Sequence, residues 1–497
     1  MDRNLLGTPR RSTTPSSEIR SRYLRRVGLY SHKVHSFVPN LVPLFFESEE
    51  AEFLCRDLEL TRNRSQILME EESDVTESDS TTIDSSWLSP GSIPSSILNL
   101  TTATLGVGTL SIPSAFFNAG LVISLIFLLL QAFLSIASIK QIISSINATE
   151  KSSFEEVTML LLGKKTTILF ELSVLGFCFG SAIAYHITIA DIGLAVTEKF
   201  LGEFSSNFFV SGFLLTRSGF LILVTALILL PLSLSDKLAE LRYTCLIGVL
   251  CVIGLVLIVV IQLFIQGIDP LIALDWQSIL WPKSLQGAVG AVGIFTFALC
   301  SQPNVPSIFS ELENRSIHRM GNAVNRAVAL CVCVYSTIGI AGVLQWGPMT
   351  ASSAIINLEP AFFQDDVLVI IGYAAMMFSV CMSYPLNIYP IKITCEQILM
   401  EVGNRNVSVW TKVVAIITVG LSLLCAVWIP KVSVVFDIIG TTAGCLICFI
   451  LPASLYLKML SLGGGLFCRR ARKAWIVLGC GCIFFSLGVM NYFGLIR

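Results

Sequence analysis

Charge is scarce in this chain. Only 13% of its 497 residues are Asp, Glu, Lys or Arg, about half the share of a soluble domain. A net charge of −1 points to no charged partner, and no nucleic-acid partner is expected. Histidine is nearly missing, with four residues, so no His/Cys set with metal-ligand spacing is found. The 15 cysteines form no paired Cys-x-x-Cys motif; the single "CLIC" at Cys445 to Cys448 lies mid-run and reads as helix packing. No nucleophile–base pair and no phosphate-cradling loop is visible. An enzyme is therefore the weaker class, and no cofactor is implied. None of the segments placed outside the membrane on the far side carries a cysteine or a glycosylation sequon, so neither a structural disulfide nor a glycan is expected there.

What the chain has instead is apolar sequence, 54% of the residues. Runs of about 20 apolar residues, each able to cross ~30 Å of hydrocarbon, recur from Ser95 onward. Eleven are expected, centred near Gly106, Ala132, Gly180, Ala226, Cys251, Thr296, Val334, Met376, Val419, Cys445 and Phe484. The predicted fold class is an all-α polytopic membrane protein over residues 91–497. Residues 1–90 are polar, Ser-rich and carry the acidic block "MEEESDVTESDS". They read as a mostly disordered cytosolic tail rather than a signal peptide. Within it, "HSFVPNLVPLFFE" (residues 35–47) is a candidate patch for a cytosolic partner, or a segment that folds back on the membrane domain. Loop Lys and Arg residues such as Lys164, Lys165, Arg326, Lys412, Arg470 and Lys473 fall on one side, which places the N-terminus in the cytosol.

Two of the runs are interrupted. "NLTTATLGVGTLSIP" (Asn99 to Pro113) sets Thr, Gly and Pro in the middle of the first. "FTFALCSQPNVPSIFSELEN" (Phe295 to Asn314) does the same in the sixth. Unpaired backbone in lipid costs several kcal/mol, so irregular backbone at that depth is tolerated where it lines an enclosed cavity. Gly106 and Gly108 remove two β-carbons, and Pro113 suits a new half-helix. The N–H groups of a half-helix start attract an anion such as a carboxylate. Exposed carbonyls and Thr hydroxyls suit a cation. Matched interruptions in two halves point to an inverted-repeat transporter. The repeats are expected over about 95–267 and 285–457, with an added helix at 473–494. Close packing of small residues explains either interruption alone, but the pair favours a central site.

The same stretches resemble a known family. "SSILNLTTATLGVGTLSIPSAFFNAG", with its Asn-Leu, Gly-x-Gly, Pro and closing aromatic-x-x-x-Gly, is similar to the first segment of the amino acid/auxin permease family. That family includes vacuolar and sodium-coupled neutral amino acid transporters. "FGSAIAYHITIAD" resembles its third segment, "LAELRYTCLIGV" the entrance of its fifth, "SQPNVPSIFSELENRSIHRM" and "YSTIGIAGVLQWG" its sixth and seventh, and "SYPLNIYPIK" the end of its eighth. The likeness spans about residues 95–460 in the right order. It implies a LeuT-type five-plus-five fold with helices 1 and 6 broken, moving amino acids by alternating access with sodium or protons. Carried over, the substrate carboxylate meets backbone N–H groups around Gly106, Val107 and Gly108, and its amino group meets carbonyls around Phe297 to Ser301. Thr104, Thr109, Ala298, Ser301 and Gln302 complete the substrate-binding candidates. Thr102, Leu105 and Ser383 fall where sodium lies in coupled relatives. Many relatives have His where Gln302 stands, and the outer-loop disulfide of the sodium-coupled branch has no cysteines here.

His186 and Asp191, buried titratable groups in the third run, are candidates for ion coupling; packing and proximity to water are the plainer readings. Tyr384 and Asn387 read as helix-packing hydrogen bonders. The expected function is a secondary transporter of neutral amino acids in a vacuolar, lysosomal or plasma membrane. A membrane amino acid sensor with little flux is the rival.

Overall fold

The computed structural model describes residues 91–495 apart from 152, 202–212, 214–215, 235–241, 267–274, 402–406, 430 and 463–468. The tail patch at 35–47 lies outside the described residues. Those described are helical, with no strand among them. The helices are α1 (Ile93–Thr104), α2 (Gly108–Ala119), α3 (Leu121–Thr149), α4 (Phe154–Leu162) and α5 (Lys164–Leu201). Next come α6 (Arg217–Leu234), α7 (Arg242–Gln266), α8 (Trp276–Leu280), α9 (Leu285–Ala298), α10 (Val305–Glu311) and α11 (Ile317–Trp346). The last five are α12 (Ala354–Phe363), α13 (Val367–Glu401), α14 (Val407–Trp428), α15 (Val432–Leu462) and α16 (Arg469–Tyr492).

Ten helical segments among the described residues are long and apolar enough to cross a membrane, α9 and α10 counting as one. The α1–α2 pair, bent by 59°, makes up to eleven spans. The centres expected from hydropathy all fall inside them. The short α4, α8 and α12 join spans.

Local chemistry sets the ends. Ser92 caps α1 through Ser95 N–H (3.3 Å). Ser284 caps α9 through Gly287 N–H (3.0 Å), and Ser316 caps α11 through Arg319 N–H (3.2 Å). Between α2 and α3 the chain turns at Gly120, whose φ of 74° suits glycine. A β-carbon there would lie 2.5 Å from the Trp281 carbonyl carbon. Inside the spans, hydroxyls fold back on their own helix, as Thr102 does to Leu98 O (2.9 Å) and Thr188 to Ala184 O (3.0 Å). This leaves few polar atoms facing lipid.

Large apolar side chains such as Leu172, Leu227, Phe264 and Leu424 are exposed on the outside of the bundle. A soluble protein would hide them; a lipid-facing surface needs them. Inside, α2 packs on α9, α11 runs beside α1, α2, α3 and α7, and α13 lies along α5 and α7. The core closes around the interrupted helices. One crossing is made backbone to backbone: a β-carbon on Gly440 of α15 would lie 1.9 Å from the Gly293 carbonyl oxygen of α9. α15 also carries two π-helical turns, Gly440–Gly444 and Leu446–Ile450.

Candidate functional site

The first interruption occupies Leu105, Gly106 and Val107. α1 closes with Leu105 N–H bonded to Thr101 O at 2.6 Å and Gly106 N–H to Thr104 O at 3.0 Å. α2 then opens, with Thr109 N–H to Gly106 O and Leu110 N–H to Val107 O, both 3.1 Å. Both glycines have close neighbours. A β-carbon on Gly106 would lie 2.8 Å from the Tyr185 hydroxyl, and one on Gly108 would lie 3.2 Å from Ala298 Cα. The start of α2 therefore sits directly against the end of α9. Thr104 turns its hydroxyl back to Leu100 O (2.8 Å), and Thr109 is fully buried.

The second interruption begins where α9 ends. Leu299 N–H bonds Phe295 O (3.0 Å), and Cys300 N–H bonds Phe297 O (3.1 Å). A single 3₁₀ turn at Gln302–Asn304 leads into α10. Gln302 is spent on this break. Its Oε1 accepts the Ser301 N–H (2.9 Å) and the Cys448 thiol (3.2 Å), and its Nε2 donates to Ser135 Oγ (3.2 Å). Ser135 in turn donates to Leu299 O (3.3 Å). The side chain thus faces α3 and α15 and staples the break between α9 and α10 to them. Gln302→Leu would leave the Ser301 N–H and the Ser135 hydroxyl short of partners in a dry interior. The expected cost is about 1–3 kcal/mol, read as a lower apparent Tm of the solubilised protein.

The two interruptions meet at Tyr335 of α11. Its hydroxyl donates to Thr104 O at 2.7 Å and to Ala298 O at 2.8 Å. These are the last carbonyls of α1 and α9, groups that helix ends leave without intrahelical partners.

Span 3 supplies the facing wall. The Tyr185 hydroxyl lies in hydrogen-bond reach of the Val107 backbone and of the Asn387 and Ser383 side chains. Ser383 also borders Gly248 of α7. Phe297 is stacked on Phe436 of α15 (centroids 4.3 Å apart) and tilted against Phe177 of α5 (5.3 Å). This three-ring layer abuts the end of α9. Asp437, next to Phe436, lies instead along the glycine face of α9, where a β-carbon on Gly290 would sit 3.3 Å from Oδ2.

The residues singled out from sequence therefore divide. Thr104, Gly106, Val107, Gly108, Phe297 and Ala298 lie at the joined interruptions. Leu105 and Thr102 are on the α1 side, and Ser383 is beside Tyr185. Gln302 faces away, toward α3 and α15, and Ser301 follows it through its backbone. His186 also faces away: Nδ1 is 3.0 Å from Ala182 O and Nε2 is 3.1 Å from Thr225 Oγ1 of α6, with Tyr384 edge-on to its ring (5.1 Å). It sits in the seam of α5, α6, α13 and α14. Asp191 is paired with Arg217 at 3.4 Å, a link between spans 3 and 4. Tyr185, Asn387, Tyr335, Phe177 and Phe436 join the site without having been assigned to it from sequence. A lone tyrosine in an apolar helix needs a partner for its hydroxyl, and that is the signal that Tyr335 and Tyr185 offered.

Residues 89–493 match the transmembrane amino acid transporter protein family. The chain belongs to that family. It is 24% identical to amino acid transporter AVT6E of Arabidopsis thaliana over 77% of this chain and 79% of that one. It is 25% identical to vacuolar amino acid transporter 5 of Schizosaccharomyces pombe over 73% of this chain and 83% of the other. With solute carrier family 38 member 10 of Homo sapiens it shares 22% identity, covering 73% of this chain but 32% of that longer protein. Among solved structures, MhsT in complex with L-phenylalanine superposes with a TM-score of 0.56 at 13% identity, over 80% of this chain and 97% of that one. The fold of this family member is accordingly the LeuT type, and its named relatives are transporters rather than enzymes.

Proposed function

We propose that this family member is a secondary active transporter of neutral amino acids working by alternating access, with residues 95–267 and 285–457 as its two repeats. The observation that supports this reading most is the joining of two broken helices at one point with an uncharged lining. The α2 start presents the backbone N–H groups of Val107 and Gly108 and the positive end of a helix dipole, which suits an α-carboxylate, while Gly106 keeps a side chain out of the way. Tyr185, whose hydroxyl reaches the same backbone, adds a second donor. The α9 end, with the carbonyls of Phe297 to Ser301, presents a negative end, which suits an ammonium group. Thr104, Thr109, Phe297 and Ala298 offer a side chain neither an Arg nor a carboxylate. Gln302 serves this reading by holding the break open, not as a ligand.

The coupling ion in this reading is a proton or sodium. Thr102, Leu105 and Ser383 are the oxygen-bearing candidates for sodium, and His186 and Asp191 are the titratable ones. The N-terminus is assigned to the cytosol from the loop charges. The vacuolar relatives favour a vacuolar or lysosomal-type membrane over the plasma membrane.

The test is uptake of each proteinogenic amino acid into proteoliposomes, with sodium and pH varied separately. Saturable uptake of alanine, leucine or glutamine is expected. Robust uptake of lysine or glutamate with none of those three would overturn the substrate class. Binding without counterflow of labelled amino acid would favour a sensor instead.

A further inference from the structure

The C-terminal end of a half-helix in mid-membrane is a negative end. In carriers built on broken helices, such ends and the unwound carbonyls beside them are where a sodium ion is held. In this chain the ends of α1 and α9 face one common point. A protein group already stands there. The single proton of the Tyr335 hydroxyl is shared between Thr104 O at 2.7 Å and Ala298 O at 2.8 Å. Thr104 O also accepts the Gly106 N–H at 3.0 Å, so both of its lone-pair directions are in use. Tyr335 is fully buried and among the largest side chains with no exposure. Its ring fills the space from which a cation would be ligated. The residues at this point do not suit a metal ion: the carbonyls that would bind one are already engaged by an O–H.

We propose that Tyr335 is a built-in substitute for a coupling cation. Its hydroxyl supplies the positive pole that joins the two half-helix ends, where a carrier with an open site would join them through an ion. Tyr335 is thus a positioning residue; it sets the angle between the substrate-facing ends of spans 1 and 6. This rests on the transport reading above and narrows it. One of the cation positions that a pair of broken helices creates is closed, so sodium coupling, where present, runs through the Thr102 and Ser383 side alone.

The test compares the full-length wild type with Tyr335→Ser and Tyr335→Phe in detergent without amino acid. Apparent Tm is measured in sodium, lithium, potassium and choline chloride at equal ionic strength. Tyr335→Ser removes the ring and leaves both carbonyls facing a gap. It is expected to gain a sodium- or lithium-specific rise of several degrees over any rise seen in wild type. Recovery of this variant only when sodium or lithium is present throughout purification is the same result in a stronger form. Tyr335→Phe removes the donor but keeps the ring, so it is expected to melt lower in every salt alike. Counterflow of labelled alanine by the Ser variant should become at least tenfold dependent on sodium or lithium. The proposal is overturned if the Ser variant responds to cations as wild type does, if it cannot be recovered in any salt, or if the Phe variant matches wild type. Because the melting curves need no substrate, failure of the transport reading would show separately, as wild type without counterflow.

Discussion

Gly106→Val should abolish saturable amino acid exchange while leaving a folded, membrane-inserted protein. Even a β-carbon at this position would lie 2.8 Å from the Tyr185 hydroxyl, inside any normal contact distance. Valine adds two methyl groups beyond it, so the hydroxyl must leave. It is no loose end: it lies within reach of the Val107 backbone, Asn387 and Ser383 together. Displacing it removes the donor proposed to meet the substrate carboxylate, and one hydrogen bond to a charged group, at about 1.5–3 kcal/mol, corresponds to a roughly tenfold to hundredfold loss in apparent affinity. The methyl groups would also stand in front of the N–H groups that open α2. Packing elsewhere is untouched, so Tm should fall by a few degrees at most and the protein should stay folded. Counterflow in proteoliposomes, normalised to protein amount, checks the outcome. Normal exchange by this variant would mean that the glycine serves only the bend.

The largest stability effect is expected at the α9–α15 crossing. Gly440→Val would press a β-carbon to 1.9 Å from the Gly293 carbonyl oxygen and 2.7 Å from its carbonyl carbon. Backbone cannot rotate aside as a side chain can, so the helices must separate. They cannot separate cheaply, because Gly293 is itself hemmed in: a β-carbon there would lie 2.7 Å from Asp437 O. Overpacking of this kind costs about 3 kcal/mol or more, and little monodisperse protein should survive size-exclusion chromatography in detergent. Gly254→Ala and Gly420→Ala are the controls. Neither β-carbon would meet anything within 4 Å, and a helical Gly→Ala change tends to stabilise. Should Gly440→Val behave like these controls, the crossing is not the tight contact described.

The number of spans and the place of both interruptions were legible in the sequence. Hydropathy over 20 residues reports burial in lipid whatever the neighbours are. A Gly-x-Gly in one apolar run and Gln-Pro-Asn in another are conspicuous because lipid penalises loose backbone. The directions of single side chains were not legible. Gln302 stands beside a break, and a polar residue there serves either a ligand or the break itself. The structure turns it to Ser135 and Cys448, contacts more than 100 residues away in the chain. His186 follows Tyr185 directly, and one step along a helix is a turn of about 100°. One of the two can face the interruption, and the sequence does not say which. Tyr335 was not singled out, because its two acceptors are backbone carbonyls of remote spans.

The two π turns of α15 give that span spare length. A π turn takes in one residue more than the α turn it replaces, so Gly440–Gly444 and Leu446–Ile450 together hold two surplus residues. Removing one residue from this stretch would relax a π turn into an α turn. Val432 to Ile439 would still face α5 and α9, and Leu451 onward would still face α3 and α16. The same deletion in the regular helix α3, ahead of Ser135, would swing everything beyond it by about 100° and carry Ser135 away from the break between α9 and α10. Span 10, with two such turns against the single π turn Thr225–Leu229 of α6, is therefore where a shorter relative has most room to lose a residue without losing its fold.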